Sequence, residues 1–288
     1  MCRLAYLNNR AIEALDTEEI AEFFRLLELS QGGHGNGVGG VVEGKFIVVK
    51  GVKRSAEELA RIVKDTPWDN GVIFHTRLAS TGTVSDELCH PFVSLDGMIL
   101  LAHNGHFSDY STMLRLLKML DDRYERYCVA SVRYVFNKDL YEYRAELVRE
   151  SDDCAVVSDT WVATELLSFL VRHHGDVERA VLMFFKQYSD TGNYFVMTRD
   201  ATVYLLIGSG DFEIYADRGV VVAASESIDM LSVVKRKKIM TAVDTVIRVE
   251  KNGGIEVVSG SLEKKRRRKR LESWLERIES YIWRERWW

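Results

Sequence analysis

Apolar positions along the chain follow two patterns, one typical of β-strands and the other of amphipathic helices. Short apolar runs at residues 2–7, 71–74 and 98–101 have the length of buried strands. Gly44 separates two further strand-like runs, and Asn252-Gly253-Gly254 separates another two near the end of the chain. Both patterns predict β-hairpins, because glycine and asparagine adopt the turn conformations that connect adjacent strands.

Helix starts are marked by capping residues that precede apolar positions three and four apart. Asp16 is followed three residues later by Glu19, and Ser55 is followed by Glu58 at the same distance. This is the capping-box spacing, in which the first side chain accepts a hydrogen bond from a free backbone N–H of the first turn. We therefore predict one helix after each of the two caps.

The order of the predicted elements indicates the fold class. Residues 110–149 form a long, charged, aromatic-rich stretch that we expect to be mostly helical, and helices are predicted at 160–171 and 176–188. Strand patterns return from residue 194 to residue 258. Strands at both ends, with hairpins rather than regular β-α-β alternation, favour an α+β fold with antiparallel sheets.

Composition divides the chain near Gly260. The 288 residues carry a formal charge of −4, yet residues 260–288 carry +5, which leaves −9 on residues 1–259. Four of the six tryptophans also lie in the last 29 residues. We interpret residues 1–259 as one domain, with an insertion at about 110–150, and residues 260–288 as a basic amphipathic helical tail.

The cysteines and the length of the apolar runs bear on the compartment. No run approaches the roughly 20 apolar residues of a membrane-spanning helix, and no signal peptide opens the chain. The four cysteines include no C-x-x-C pair. These features predict a reduced, cytoplasmic protein in which Cys89 and Cys154 are ordinary buried thiols.

A glycine-rich segment matches a nucleotide-binding fingerprint only formally. Gly35, Gly37 and Gly40 have the G-x-G-x-x-G spacing. That motif requires a strand before it and a helix after it, so that the helix N-terminus faces a pyrophosphate. Here a predicted helix precedes the glycines and a hairpin follows them, so we set the nucleotide-binding hypothesis aside.

Cys2 is the first candidate for chemistry. Removal of Met1, which a small second residue favours, would leave a thiol and a free α-amine on one residue. The α-amine has an ordinary pKa of about 7.7–8.0, so part of it is neutral at pH 7 and can accept a proton. A thiol beside its own base is the arrangement of an N-terminal nucleophile. A cysteine at position 2 is also compatible with no function.

Two further segments place polar residues at the ends of predicted strands. Arg77 follows an apolar strand, where a buried guanidinium needs either a substrate carboxylate or an acidic side chain of the protein. Asn104 and Gly105 end another strand. A side-chain amide beside an unhindered backbone N–H provides the two donors of an oxyanion hole, although an Asn-Gly pair is also typical of a plain turn.

Together these residues resemble the class II glutamine amidotransferases, a family of N-terminal-nucleophile hydrolases. The matching motifs occur in the family's order along the body of the chain: Met1-Cys2-Arg3, Asn36-Gly37-Val38-Gly39, His75-Thr76-Arg77, His90-Pro91-Phe92, His103-Asn104-Gly105 and Ser158-Asp159-Thr160. The opening is closer to that of the small standalone members. The resemblance implies a four-layer αββα sandwich of two antiparallel sheets between helical layers.

The resemblance implies catalytic roles for three residues. Cys2 would attack the side-chain amide of glutamine, with its own α-amine relaying the proton. Asn104 and Gly105 would stabilise the negatively charged oxygen of the tetrahedral intermediate. Ammonia would then leave, and water would release glutamate from the thioester.

Four other residues would bind the amino-acid end of the substrate. Arg77 would bind the α-carboxylate and Asp159 the α-ammonium group, with Ser80 and Thr81 as further contacts. The Ser80-Thr81 pair departs from the Thr-His or Thr-Thr found in many members, which leaves the choice of γ-glutamyl substrate open.

The resemblance implies no cofactor and no metal. His75, His90 and His103 lack the helical spacing of a metal site, so we interpret them as hydrogen-bonded structural histidines. Ammonia would pass to an acceptor on a synthase partner. Two alternatives stay open: a γ-glutamyl amide or peptide hydrolase of the same fold, and a non-catalytic binding or scaffold module.

Two segments carry hypotheses about partners. The aromatic residues between 124 and 143 predict either a surface helical hairpin or a docking surface for a synthase or a second copy of the chain. Residues 264–270 are seven consecutive positive charges followed by an apolar stripe. We expect this tail to dock on the acidic body or on a second copy, with a membrane surface or a nucleic acid as alternatives.

Overall fold

A computed structural model describes residues 2–78, 84–129, 131–137, 142–148, 153–189, 192–208 and 212–264, with the backbone alone at 131–137, 142–148 and 263–264. Within these ranges the strands are β1 (Arg3–Leu7), β2 (Asn36–Val42), β3 (Lys45–Gly51), β4 (Val72–Thr76), β5 (Phe92–Val93), β6 (Ile99–Asn104), β7 (Tyr127–Val129), β8 (Ser131–Asn137), β9 (Glu142–Val148), β10 (Ala155–Val157), β11 (Asn193–Thr198), β12 (Val203–Ile207), β13 (Phe212–Asp217), β14 (Val220–Ala224), β15 (Met240–Val249) and β16 (Ile255–Lys264). The α-helices are α1 (Asn9–Ala14), α2 (Thr17–Gln31), α3 (Ala56–Asp65), α4 (Tyr110–Leu120), α5 (Asp159–His174) and α6 (Val177–Gln187).

The predicted caps start two of these helices. Asp16 accepts a hydrogen bond from the Glu19 N–H at 2.8 Å, and the Glu19 carboxylate accepts one from the Asp16 N–H, so the capping box before α2 is confirmed. Ser55 accepts from the Glu58 N–H at 3.2 Å before α3. Each cap stabilises its helix by about 1 kcal/mol. Among the helices that the structure describes, none is long and apolar enough to cross a membrane.

Twelve strands form one antiparallel sheet. Their order is β3-β2-β4-β1-β14-β13-β15-β12-β11-β6-β5, and β16 pairs with β15. The antiparallel pairing and the predicted hairpins β2–β3 and β15–β16 are confirmed. The expectation of two separate sheets is wrong, because β13 pairs with β15, Phe212 opposite Ala242, and joins the two halves.

The alternation of side chains along the strands builds three apolar layers. Tyr6 and Phe195 belong to a cluster between the two halves of the sheet. Their neighbours in the chain point the other way: Leu7 packs with α1–α3, and Tyr194 packs with α4–α6. The sheet therefore curls so that its halves share one apolar layer, with three helices outside each half.

The insertion differs from its prediction. Among the described residues between 110 and 149, α4 is the single α-helix; β7 pairs with β10 in parallel, and β8 pairs with β9 as an antiparallel hairpin. The sequence of β8, Ser-Val-Arg-Tyr-Val-Phe-Asn, is rich in β-branched and aromatic residues, and this strand preference outweighs the helical character of the interspersed charges. The prediction of a mostly helical segment is therefore wrong.

A disulfide closes the base of this insertion. Cys128 in β7 is bonded to Cys154, and their Cα atoms are 5.7 Å apart. The prediction that Cys154 is an ordinary free thiol is wrong, because the β7–β10 pairing that brings the two residues together was not predicted. Cys2 and Cys89 are free. The prediction of a docking tail concerns mainly residues 265–288, which lie outside the described residues.

Candidate active site

Cys2 lies directly before β1, a central strand of the sheet. β1 pairs with β4 on one side, Arg3 opposite Thr76, and with β14 on the other. This register places Cys2 beside Arg77 and Leu78, the residues that follow β4. The Cys2 Sγ lies 3.4 Å from the Leu78 nitrogen and 3.7 Å from the Leu78 carbonyl oxygen. The thiol is thus fixed against the backbone of the neighbouring strand end.

Four of the predicted site residues line one cleft. The residues around it are Cys2, Arg77, Leu78, His90, His103, Gly105, Ser158, Asp159 and Thr160. They come from the ends of β1, β4 and β6, from the loop before β5 and from the start of α5. The fold therefore brings together residues more than 150 positions apart in the sequence. Ser80 and Thr81 lie outside the described residues.

The environment of Cys2 keeps its thiol protonated. Burial raises the pKa of Cys2 above its ordinary value, and the Leu78 N–H, the charge of the chain's N-terminus and Arg77 oppose this increase. The negative charge of Asp159 adds to it. Because the thiolate is the nucleophilic form of cysteine, a thiol in this position requires a base that removes its proton during attack.

Arg77 presents a buried cation to the cleft. Its side chain is 4% exposed, and the loop carrying it is held by two backbone hydrogen bonds, from the Arg77 N–H to the Gly35 carbonyl at 2.7 Å and from the His34 N–H to the Arg77 carbonyl at 2.9 Å. Burial lowers the pKa of Arg77, and the nearby thiols and Asp159 oppose that decrease. A guanidinium remains charged at neutral pH under such a shift, so the cleft holds a positive group suited to a carboxylate.

Asp159 is the first residue of α5 and presents a carboxylate at the helix N-terminus. Its oxygens accept hydrogen bonds from the Phe107 N–H at 3.2 Å and from the Thr160 N–H at 2.8 Å. Ser158 caps the helix by accepting from the Trp161 N–H. The helix dipole and these N–H donors stabilise the negative charge, which gives the cleft an acidic group suited to an ammonium ion.

Asn104 and Gly105 end β6 beside the same cleft. Oδ1 of Asn104 is sealed from solvent with no hydrogen-bond partner among the described residues, and Asn104 is not itself among the residues that line the cleft. Gly105 has φ +152°, and a Cβ there would lie 2.8 Å from Nε2 of His103 and 2.9 Å from the Cα of Gly192. A side chain here would clash with both neighbours, so only glycine fits this turn.

His75, His90 and His103 are buried beside the cleft. The His75 and His90 rings pack with their centres 3.9 Å apart and their planes tilted by 32°, and Nε2 of His75 is bonded to the His103 carbonyl at 3.1 Å. Burial lowers the pKa of His75 to about 3 and that of His90 well below its ordinary value. His103 stacks on Tyr194 at 4.2 Å. Within the described ranges, no cluster of His, Cys, Asp or Glu side chains is arranged to hold a metal ion.

Sequence reasoning missed the backbone part of the site. The Leu78 N–H and carbonyl contact the Cys2 sulfur, and no side-chain pattern reports such contacts. It also missed why the glycine-rich segment is glycine-rich. A Cβ at Gly37 would lie 2.1 Å from the His90 carbonyl oxygen, so β2 must be bare where the loop before β5 crosses it. The glycine spacing therefore marks close backbone packing.

The sequence of this region matches a known family. A model of the class II glutamine amidotransferases matches residues 31–123, which include Arg77, Asn104 and Gly105. Over these residues the chain has the sequence of a class II glutamine amidotransferase domain. Two strains of Thermus thermophilus have a glutamine–fructose-6-phosphate aminotransferase (isomerizing) that is 40% identical over 86 residues. That match covers 30% of this chain and 13% of each relative, so it reaches only a small part of those proteins.

The fold of the amidotransferase domain is also found in larger solved structures. The chain is similar to the glutamine phosphoribosylpyrophosphate amidotransferase from B. subtilis in complex with ADP and GMP, with a TM-score of 0.57 and 15% identity. A structure described as the allosteric regulatory enzyme of purine biosynthesis matches with a TM-score of 0.58 and 16% identity. Each match covers 92% of this chain and 50% of the other. At such identities the likeness establishes the fold, which is that of the class II amidotransferase domain.

Proposed function

We propose that the protein hydrolyses the side-chain amide of glutamine through a thioester on Cys2. The observation that carries this proposal is the shared cleft, in which a thiol, a cation and an anion meet at the glycine turn after β6. Glutamine has the matching groups: a carboxylate and an ammonium at one end and an electrophilic amide at the other. The family match supports glutamine as the substrate.

The proposed reaction begins when the α-amine of Cys2, freed by removal of Met1, takes the thiol proton. The sulfur attacks the amide carbon and forms a tetrahedral intermediate. Nδ2 of Asn104 and the N–H of Gly105 donate hydrogen bonds to its negatively charged oxygen, and each such donor contributes about 3 kcal/mol in comparable sites. The amide nitrogen accepts a proton and leaves as ammonia, and water then hydrolyses the thioester to glutamate.

The amino-acid end of glutamine is bound by opposite charges. Arg77 is buried and binds the α-carboxylate with its planar, paired donors. Asp159 binds the α-ammonium group from the N-terminus of α5. Ser80 and Thr81, in the segment after Arg77, complete the substrate contacts. This pair of charges orients the amide toward Cys2.

The test of this proposal separates the thiol from the amine. Purified wild type is assayed for ammonia release from glutamine, and intact mass reports whether Met1 is removed. Cys2→Ala removes the nucleophile, and a lysine inserted between Met1 and Cys2 keeps the thiol but blocks processing of Met1. We expect both variants to fold and to lose ammonia release. Residual turnover above about a tenth of wild type in Cys2→Ala contradicts the proposed nucleophile.

The same assay distinguishes glutamine from other γ-glutamyl compounds. Arg77 and Asp159 bind only the γ-glutamyl head, so γ-glutamyl dipeptides are offered at equal concentration. We expect kcat/KM to be higher for glutamine. Faster cleavage of the dipeptides would identify a γ-glutamyl peptide hydrolase of the same fold instead.

A further inference from the structure

Lys50 lies near the end of β3 and has no part in the chemistry proposed above. Its Nζ donates hydrogen bonds to three backbone carbonyls of the loop before β5: Cys89 at 2.7 Å, Pro91 at 3.2 Å and Glu87 at 3.4 Å. The same Nζ lies 4.0 Å from the centre of the Phe92 ring. One ammonium thus connects an edge strand to the whole loop that precedes β5.

That loop forms one wall of the cleft. His90, in the middle of it, lines the cleft together with Cys2 and Arg77. The loop crosses β2 so closely that a Cβ at Gly37 would overlap the His90 carbonyl. Carbonyls packed against a strand repel one another unless a donor lies between them, and the Lys50 ammonium supplies three donors at this point.

Contacts continue from the loop to the predicted oxyanion hole. The His90 ring packs against the His75 ring, with the ring centres 3.9 Å apart and the planes tilted by 32°. Nε2 of His75 is bonded to the carbonyl of His103 at 3.1 Å, and His103 directly precedes Asn104. A shift of the loop therefore moves the His90–His75 pair and, with it, the backbone that presents Asn104.

We propose that Lys50 is a positioning residue: its ammonium, bound to the carbonyls of residues 87–91, holds the His90 wall and thereby the turn that carries Asn104 and Gly105. This inference rests on the proposed function, because the turn is assigned there as the oxyanion hole. A second contact, from the Val52 N–H to the Asp86 carboxylate at 2.7 Å, fixes the start of the same loop. We therefore expect the loop to keep its fold when the ammonium is lost, and its distance from β2 to change.

The charge of Lys50 changes within an accessible pH range. Burial lowers the pKa of Lys50 to about 8, and the Cys89 thiol and Glu87 oppose this decrease. The other charged or titratable groups around it are Asp86 in the same loop, Arg77 after β4, and the neutral rings of His75 and His90. Above pH 8 the neutral amine keeps fewer donors and loses its charge, so its hold on the carbonyls weakens.

The experiment compares Lys50→Met, Lys50→Arg and a control, Lys45→Met, which alters an exposed lysine on the same strand. Ammonia release from glutamine is measured from pH 6 to pH 10. At pH 7 we expect Lys50→Met to lower kcat by about tenfold to a hundredfold, with KM within about threefold of wild type, because the turn acts on the transition state. Lys50→Arg restores kcat, and Lys45→Met equals wild type.

The pH profile separates positioning from simple stabilisation. Wild-type kcat falls above pH 8, and in Lys50→Arg this alkaline decrease moves upward, because a guanidinium stays charged. The ammonium of glutamine titrates equally in both proteins and cancels in the comparison. If kcat of Lys50→Arg decreases at the same alkaline pH as kcat of wild type, the proposal is overturned. This arm uses no Met variant, so it decides the question even if Lys50→Met fails to fold.

Hydrogen exchange makes the result independent of turnover. Peptides covering residues 86–92 and 103–107 are followed by mass spectrometry at pH 7 in wild type and in Lys50→Met. Faster exchange in both peptides supports positioning even if wild type releases no ammonia, a result that would contradict the proposed function alone. Unchanged exchange at 103–107, or a loss of activity confined to KM, overturns the role of Lys50.

Discussion

Two segments flank the turn at Asn104, and they contribute to the molecule in different ways. In residues 36–104, β2, β4, β6 and the loop before β5 pack so closely that a Cβ added at Gly37 would lie 2.1 Å from the His90 carbonyl oxygen. In residues 110–157, one helix leads into a hairpin whose base is closed by a disulfide. The family match covers residues 31–123 and stops within the second segment. The first segment supplies Arg77, His90 and His103 to the cleft, which Cys2 and the start of α5 complete. None of the residues described as lining the cleft comes from the second segment.

The largest expected effect lies in the first segment. Asn104→Ala should lower kcat for ammonia release by about 10²–10³, because one donor to the developing oxyanion is lost, with a smaller effect on KM. Steady-state kinetics with glutamine give the result, and Asn252→Ala, in the turn between β15 and β16, is the matched control. A kcat within about threefold of wild type would remove Asn104 from the oxyanion hole.

The second segment should affect stability without affecting chemistry. Replacing Cys128 and Cys154 together by serine opens a loop of 26 residues, and loop-closure entropy predicts a free energy of unfolding lower by about 3 kcal/mol. Neither cysteine lines the cleft, so kcat of the folded enzyme should stay within about twofold of wild type. Urea unfolding and kinetics measure the two quantities. A tenfold loss of kcat would show that the hairpin belongs to the site and would end the contrast between the segments.

Two glycines of the first segment, Gly37 and Gly97, test how closely its backbone is packed. Gly37→Ala should lower the free energy of unfolding by about 3 kcal/mol, since its Cβ meets a backbone oxygen that cannot move aside. Gly97→Ala is the matched comparison: its Cβ meets nothing within 4 Å, and only its φ of +66° costs about 1 kcal/mol. Urea unfolding of both variants checks the difference. Equal losses would mean that the packing at Gly37 relaxes.

The smallest effect concerns the contact between the two segments. Glu165 in α5 accepts from the Leu95 N–H at 2.7 Å and from the Tyr124 hydroxyl at 2.8 Å, and burial raises its pKa. A raised pKa favours the protonated form in the folded state, so this stability is present at low pH and is lost as the pH rises through the folded pKa. Relative to Glu165→Gln, wild type should lose stability as the pH rises above the ordinary glutamate pKa of about 4.3, by less than about 1.4 kcal/mol per pH unit. Unfolding curves that stay parallel would contradict this.

Features that depend on neighbouring residues were predictable from the sequence, and features that depend on distant residues were not. The cap at Asp16, the hairpin turns at Gly44 and Asn252, and the presence of α5 and α6 all depend on interactions within a few residues, and the structure confirms them. The predicted end of α5 at residue 171 is three residues short of the observed end at His174. The grouping of Cys2, Arg77 and Asp159 in one site is predicted only by the family resemblance. These residues are far apart in the chain, and their spacing does not indicate that they lie close together.

The predictions that are wrong concern strands that pair with partners far away in the sequence. β7 and β10 lie on either side of the β8–β9 hairpin, and each is too short to be recognised as a strand from its own sequence. The Cys128–Cys154 bond could not be predicted without that pairing. The β13–β15 connection that makes one sheet of two halves is of the same kind. The role of Lys50 is invisible in sequence because its partners are backbone carbonyls.

The position of β1 has a consequence for the order in which the chain folds. Ala5 is paired with Phe74 on one side and with Ala224 on the other, so the strand next to Cys2 needs a partner encoded more than 200 residues later. At the usual pace of translation this partner emerges roughly ten to forty seconds after β1. During that time one edge of β1 has no partner strand. Under the proposed function, removal of Met1 would belong to this interval, and the proposed nucleophile would form before the walls of the cleft close around it.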